Sequence, residues 1–269
     1  MLKTILKFLL ILAGINCLSF MVTRIWWYTH GALTAEPIIS VLETQDNPSE
    51  NIYMIAGILN QPEAAFEFAK PYFSGKRQVY LQFKSIGWDA RSTANAILHD
   101  AELNGDTASI ICTISASEHV ANYLHATDTV STEFNFVSVN PCPTRAAVQK
   151  QWRWMLVAGA PLFEGVCHAL GWLSVIPIIP TPGGNYSLIL LADQFWTVTY
   201  DEAVIPPQVV ASKVIISSED ELLDNDYLCD YLTGAEIVEI STHHGDTIGA
   251  AEYYAKGLEA LGFDDKPSD

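Results

Sequence analysis

The sequence predicts an α/β chain: a doubly wound, mostly parallel sheet with an inserted helical cap, preceded by an N-terminal membrane helix. Three observations predict it. From residue 51 onward, short apolar runs alternate with helical patterns of about 10–15 residues. A Trp- and Pro-rich interval over residues 141–210 interrupts that alternation. The uncharged run Phe8–Val22 lies near the start of the chain. Composition narrows the class further. With 49% apolar and 17% charged residues in 269, the chain is neither disordered, nor a coiled coil, nor collagen-like. A formal net charge of −17 opposes binding to phosphate backbones and excludes nucleic acid as a partner. Five cysteines without a C-x-x-C pair fit neither a zinc module nor a disulfide scaffold.

The N-terminal run Phe8–Val22 has Lys3 and Lys7 before it and Arg24 behind it. Alone it is short for a bilayer span of about 20 residues. Extended through Ile25, Trp26, Trp27 and Tyr28 it makes a helix whose aromatics sit at the membrane interface and whose Arg24 snorkels. A cleaved signal peptide competes with the anchor, but no small-x-small cleavage site follows at the right distance. Two lysines in front of an acidic body place the N-terminus in the cytoplasm and the body outside, as a single-pass protein. The expected division is an anchor or signal segment over 1–35, a first core part over 36–140, a cap over 141–210 and a second core part over 211–269. Across the first boundary, residues Thr34–Glu50 read as a stalk whose Ile38-to-Leu42 run leads into a first strand.

In the body, Asn51–Gly57, Gln78–Phe83, Ala108–Ile114, Phe134–Asn140, Lys213–Ser217 and Glu236–Ile240 read as strands. Helices are expected over Pro62–Phe73, over Ser92–Leu103 with Ser92 as N-cap, and over Ala116–Leu124. Two more are expected, around Glu221–Tyr231 and over Thr247–Leu261. Strands this apolar are buried on both faces. The 141–210 interval is too long for a plain loop and carries Trp152, Trp154, Trp172 and Trp196, four of the seven tryptophans. It reads as a mostly helical cap over a pocket or against lipid, or else as a peripheral helical layer.

Ligands of parallel sheets sit beyond the carboxyl ends of the strands. The residues there are Gly57-Ile58-Leu59, Ser115-Ala116-Ser117, Ser217 to Glu221, and Ser241 to Asp246 with the pair His243-His244. A serine, a carboxylate and a histidine thus share one rim, in that chain order. Thr113-Ile114-Ser115-Ala116-Ser117 is a small-x-Ser-x-small turn, and Val214 to Leu223 places Asp220 three residues after Ser217.

This order resembles the α/β-hydrolase family, with its G-x-S-x-G nucleophile turn, its acid after a late strand and its histidine before the final helix. The resemblance implies a sheet of the α/β-hydrolase type with Ser115 as nucleophile, His244 (or His243) as base and Asp220 as the acid. Glu219 and Asp224 are alternative acids. It also implies an oxyanion site from the backbone N–H groups of Ile58 and Ala116, with Leu59 and the cap residues Trp152, Trp154, Trp172 and Trp196 against substrate. The elbow glycines are replaced by Thr113 and Ser117, and Ala56 stands where the family has a histidine. The implied activity is a membrane-anchored serine hydrolase of an apolar, small-molecule or lipid-like acyl ester or thioester, needing no cofactor and no metal. A dehalogenase would need an acid at position 115. A catalytically inactive relative, acting as a binding or scaffolding protein, is the alternative.

Local readings without catalysis stand beside each residue. Ser115 serves as an N-cap, Asp220 as a cap of the following helix, and His243-His244 as solvated loop residues or, with Asp246, metal ligands lacking a third well-spaced partner. Cys112 reads as a small buried hydrophobe, and Cys142 and Cys167 as a pair open to disulfide formation outside the cell. His99, His119, His125 and His168 receive no role.

Overall fold

The computed structural model describes residues 2–30, 38–43, 50–82, 88–106, 108–127, 132–200, 210–232 and 234–263. Most of the Thr34–Glu50 stalk, and Phe83 at the end of one expected strand, lie outside the described residues. So does 201–209, at the end of the 141–210 interval.

Among the described residues nine strands can be traced in chain order: β1 (Ile38–Glu43), β2 (Glu50–Ile55), β3 (Arg77–Gln82), β4 (Ala108–Ile114), β5 (Glu133–Val139), β6 (Pro177–Thr181), β7 (Gly184–Ser187), β8 (Lys213–Ser217) and β9 (Glu236–Ile240). Seven form one sheet in the order β1-β3-β2-β4-β5-β8-β9, and β6-β7 is a separate hairpin. Within the main sheet only β1 is antiparallel, pairing Ile39 with Leu81 on β3. The remaining neighbours are parallel, β4 on β5 in register Cys112 to Val137 and β8 on β9 in register Ile215 to Val238. The sheet is mostly parallel, as expected.

Period-two alternation assigns each strand residue to one of two cores. Tyr53, Ile55, Val79, Leu81, Ile111, Phe136, Val214 and Ile216 face one side, and Ile52, Met54, Tyr80, Ile110, Cys112, Val137 and Ile215 the other. Helices α3 (Ala90–Asn104), α4 (Glu118–Ala126) and α7 (Asn225–Tyr231) cover the first face, with Ala94, Ile97, Val120, Leu124 and Leu228 in its core. The second is covered by α2 (Pro62–Ala65), the 3₁₀ segment Glu67–Phe73 and α8 (Ala251–Ala260), through Phe66, Phe68, Phe73, Tyr254 and Leu258.

Several boundaries differ from those expected, each for a local reason. Asp89, not Ser92, caps α3, accepting a hydrogen bond from the Ser92 N–H at 2.8 Å. The 62–73 helix divides into α2 and a 3₁₀ segment containing Pro71, which has no N–H to donate. Asp224, not Asp220, caps α7, taking the Tyr227 N–H at 3.2 Å. The last helix begins at Ala251, because the Asp246 side chain closes a turn onto the Gly249 N–H at 2.9 Å.

Between β5 and β8 the chain builds α5 (Lys150–Leu170), a 3₁₀ turn (Gly171–Val175), the β6-β7 hairpin and α6 (Leu188–Tyr200). The first helix, α1 (Leu2–His30), packs against this insertion. Among the described residues two helical stretches are long and apolar enough to cross a membrane, Lys3–Trp26 and Lys150–Val175. Arg24 does not snorkel: its guanidinium is buried, donating to Glu164 on α5 at 2.8 Å and to Asp193 on α6 at 3.3 Å. An α1–α5–α6 contact that excludes water leaves the arginine no route to it, and two carboxylates supply its partners instead. Cys142 and Cys167 are both free thiols.

Candidate active site

The site is assembled from three strand ends. Ser115 follows β4 directly and has φ +55, a left-handed backbone that a non-glycine residue adopts only at a strain of about 1–3 kcal/mol. The strain is held by contacts on either side. The Cys142 N–H donates to the Ser115 carbonyl at 3.1 Å, and the Ser117 hydroxyl donates to the Ala56 carbonyl. Gly57 is forced by the same turn, since a Cβ there would lie 2.9 Å from the Ile114 carbonyl oxygen and 3.1 Å from Ser115 Cβ. Ile58 and Leu59 follow that glycine immediately, and Leu59 also has a positive φ of 61°.

Asp220 lies three residues past β8 with its carboxylate buried. Its Oδ1 accepts the Leu222 and Leu223 N–H groups at 2.8 and 2.7 Å, which fixes the plane of the carboxylate. Oδ2 is then 2.7 Å from His244 Nδ1, and His244 Nε2 is 3.0 Å from Ser115 Oγ. A proton on Nδ1, donated to Asp220, leaves Nε2 as the acceptor for the serine hydroxyl. His243 points elsewhere: its ring is exposed, 3.3 Å from the Glu219 carbonyl and 3.5 Å from Glu221 Oε2. Thus Ser115, His244 and Asp220 come together, whereas His243, Glu219 and Asp224 do not join them.

The two places where the resembled family has glycine carry hydroxyls with partners. Thr113 turns its Oγ1 sideways, to Ser138 Oγ at 2.8 Å and to Glu118 Oε2 at 2.9 Å. Glu118 opens α4 and is fully buried, and burial raises its pKa, opposed by the hydroxyls of Ser138 and Thr113. Below the rim a second network ties three strands. Asn140 Oδ1 accepts the Ser217 N–H at 2.8 Å and its Nδ2 donates to Ser217 Oγ at 2.9 Å. Ser217 Oγ is 2.8 Å from Thr242 Oγ1 and 3.1 Å from the Tyr254 hydroxyl, which donates to the His243 carbonyl at 3.3 Å. These residues hold the strand ends that carry Asp220 and His244. Sequence reasoning missed them because each is an unremarkable polar residue until the strands are paired.

The four tryptophans of the insertion pack in different places. Trp152 donates its indole N–H to the Glu221 carbonyl at 2.8 Å, and Gln149 beside it donates to the Asp220 carbonyl at 2.8 Å. The base of the insertion therefore braces the acid loop. Trp154 is exposed, Trp172 packs edge-on against Phe20 of α1, and Trp196 packs on Tyr200. Nearer the serine, the hairpin meets the loop past Leu59, where Gln61 Nε2 donates to the Asn185 carbonyl at 3.4 Å.

No family model and no curated protein matches the sequence. Solved structures do match in three dimensions. A carboxylesterase from the thaumarchaeon Nitrososphaera gargenis is 12% identical, with a TM-score of 0.58 over 86% of this chain and 96% of its own. MGS-M2, an α/β-hydrolase enzyme from a Medee basin deep-sea metagenome library, is 14% identical, with a TM-score of 0.54 over 87% and 96%. A membrane phospholipase A described as a bacterial virulence factor is 15% identical, with a TM-score of 0.54 over 97% and 98%. The chain has the α/β-hydrolase fold.

Proposed function

We propose that the chain is a membrane-anchored serine hydrolase that cleaves an ester or thioester of an apolar acyl group through an acyl-enzyme. The observation that carries this reading is the continuous line from Ser115 Oγ through His244 to the buried Asp220, with Ser115 held at positive φ. In the proposed reaction His244 Nε2 takes the hydroxyl proton as Ser115 Oγ attacks the acyl carbon. Asp220 keeps the imidazole in the required tautomer and stabilises its cationic form. The developing oxyanion is stabilised by the backbone N–H groups of Ile58 and Ala116, assisted by the N-terminal end of α4. His244 then returns the proton to the leaving alcohol or thiol. Water, activated by the same imidazole, hydrolyses the acyl-enzyme and regenerates the serine.

Two observations support the anchor. The α1 span Lys3–Trp26 is long and apolar enough to cross a bilayer. The alignment with the membrane phospholipase A leaves out only about eight residues of this chain, so it includes most of α1. In this reading the insertion between β5 and β8 is the cap, covering 141–210 between core parts 36–140 and 211–269.

Hydrolysis of p-nitrophenyl esters of graded chain length by the detergent-solubilised protein tests the proposal. Turnover by the native chain that falls about 10⁴-fold or more in Ser115→Ala is the expected outcome. Equal rates for the two proteins, or no turnover by a folded native chain, would favour a non-catalytic binding protein.

A further inference from the structure

The insertion presents a face whose composition is unlike the rest of the molecule. From Trp154 to Pro180 the chain has no Asp, Lys or Arg, and its one Glu, Glu164, is buried against Arg24. In a protein of net charge −17, the exposed large residues along this stretch include Leu162, Val166, Leu170, Leu173, Ile176 and Ile178, the last 71% exposed. Monomeric soluble proteins rarely leave a contiguous apolar patch of this kind uncovered.

The packing of α1 fixes where this face lies. Asn16 Nδ2 donates to the Leu170 carbonyl at 3.4 Å, Cys17 Sγ is 3.2 Å from the Ala169 carbonyl, and Phe20 lies edge-on to His168 and Trp172. Arg24 reaches Glu164 and Asp193. As α1 runs from 16 to 24, its partners on α5 run back from 170 to 164, so the two helices lie side by side and antiparallel. The contact is tight: a Cβ on Gly171 would fall 2.7 Å from Asn16 Cγ. If α1 spans a bilayer, its uncharged run Phe8–Val22 occupies the hydrocarbon. Asn16 then sits about 9 Å inside the edge at Val22, at 1.5 Å per residue. Leu170 must lie at the same depth, and the buried Arg24–Glu164–Asp193 cluster falls near the boundary.

We infer that the C-terminal end of α5 and the turn leading into β6, from about Val166 to Ile178, are embedded in the acyl-chain layer of the leaflet on the body's side, as one unit with α1. This rests on reading α1 as a membrane anchor. The consequence is that the insertion, and not only the anchor, touches lipid.

Tryptophan fluorescence in phosphatidylcholine vesicles with brominated acyl chains tests it on the full chain. Bromines quench only tryptophans that reach the chains. In Trp26→Phe/Trp27→Phe, which removes the α1 reporters, quenching should persist and should fall clearly once Trp172→Phe is added. Adding Leu173→Trp to that triple variant should restore it. A native chain that is quenched, with no loss on Trp172→Phe and no gain from Leu173→Trp, keeps the anchor and overturns the embedding, leaving a second copy of the chain as what covers the face. A native chain that is not quenched overturns the anchor reading and the inference together.

Discussion

The rim at the carboxyl ends of the strands and the insertion beside it are built on opposite principles. At the rim the side chains that hold the serine, histidine and aspartate have directional partners: Asp220 takes two backbone N–H groups and His244, and Asn140 and Ser217 exchange two hydrogen bonds. From Trp154 to Tyr200 the insertion instead turns Leu173, Ile176 and Ile178 outward, and its two charged residues there, Glu164 and Asp193, are buried against Arg24 of α1. The rim needs atoms placed to a fraction of an ångström, whereas the insertion needs surface of the right chemistry. Mutations should therefore act on rate in the first region and on docking or stability in the second.

The largest effect is expected at the rim. Asp220→Asn keeps the shape but removes the charge that favours the Nδ1 tautomer, and kcat should fall about 10⁴-fold. His243→Ala, one residue from the base yet exposed, should leave kcat unchanged. Comparable losses in the two variants would show that the rim is less directional than its geometry implies. Arg24→Met should come next. It strands two carboxylates that share one cation, and a broken buried pair costs about 3–5 kcal/mol. Thermal unfolding of the detergent-solubilised variant should register that loss, and limited proteolysis should cut the α1–insertion contact first.

Asn140→Ala sharpens the comparison from within the rim. It leaves the Ser217 N–H without its side-chain acceptor and removes one of three partners of Ser217 Oγ, at about 1–3 kcal/mol, and kcat should drop with it because Asp220 follows Ser217 by three residues. Urea titration and ester turnover measured on the same preparation would separate the two losses. At neutral pH the smallest effect belongs to His119, buried on α4, where desolvation lowers its pKa from 6.5 to about 4. The unfolded chain gains a proton below pH 6.5 and the folded chain does so only near pH 4. Its contribution is therefore complete above that upper value and is lost toward the lower one, by about 1.4 kcal/mol per pH unit. His119→Leu should flatten that part of the stability profile, which urea midpoints between pH 7 and pH 4 would reveal.

The comparison also marks how far the sequence could be read. The core strands were legible because stretches such as Ala108–Ile114 are short apolar runs, as burial on both faces of a parallel sheet requires. Ser115, Asp220 and His244 were legible as residues just past strand ends. The choice of His244 over His243 was not, because a one-residue shift depends on the geometry of the loop after β9, not on composition. Asn140, Thr242, Tyr254 and Glu118 were invisible for a related reason: their partners are 5 to 114 residues away in the chain and on other elements. Arg24 was misread as a snorkelling residue, since its carboxylate partners lie 140 and 169 positions further on. The Trp-rich interval reads as a cap over a pocket or against lipid, and composition does not say what each tryptophan packs on. Trp152 braces the acid loop, and Trp172 packs against α1.

The central claim is that Ser115 is an activated nucleophile. Its most direct test is to treat the native chain with a fluorophosphonate and locate the adduct by peptide mass spectrometry. We predict one covalent adduct on Ser115, lost in Ser115→Ala and strongly slowed in His244→Ala. A folded protein that takes up no phosphonate, or takes it up equally with alanine at 115, would contradict the claim.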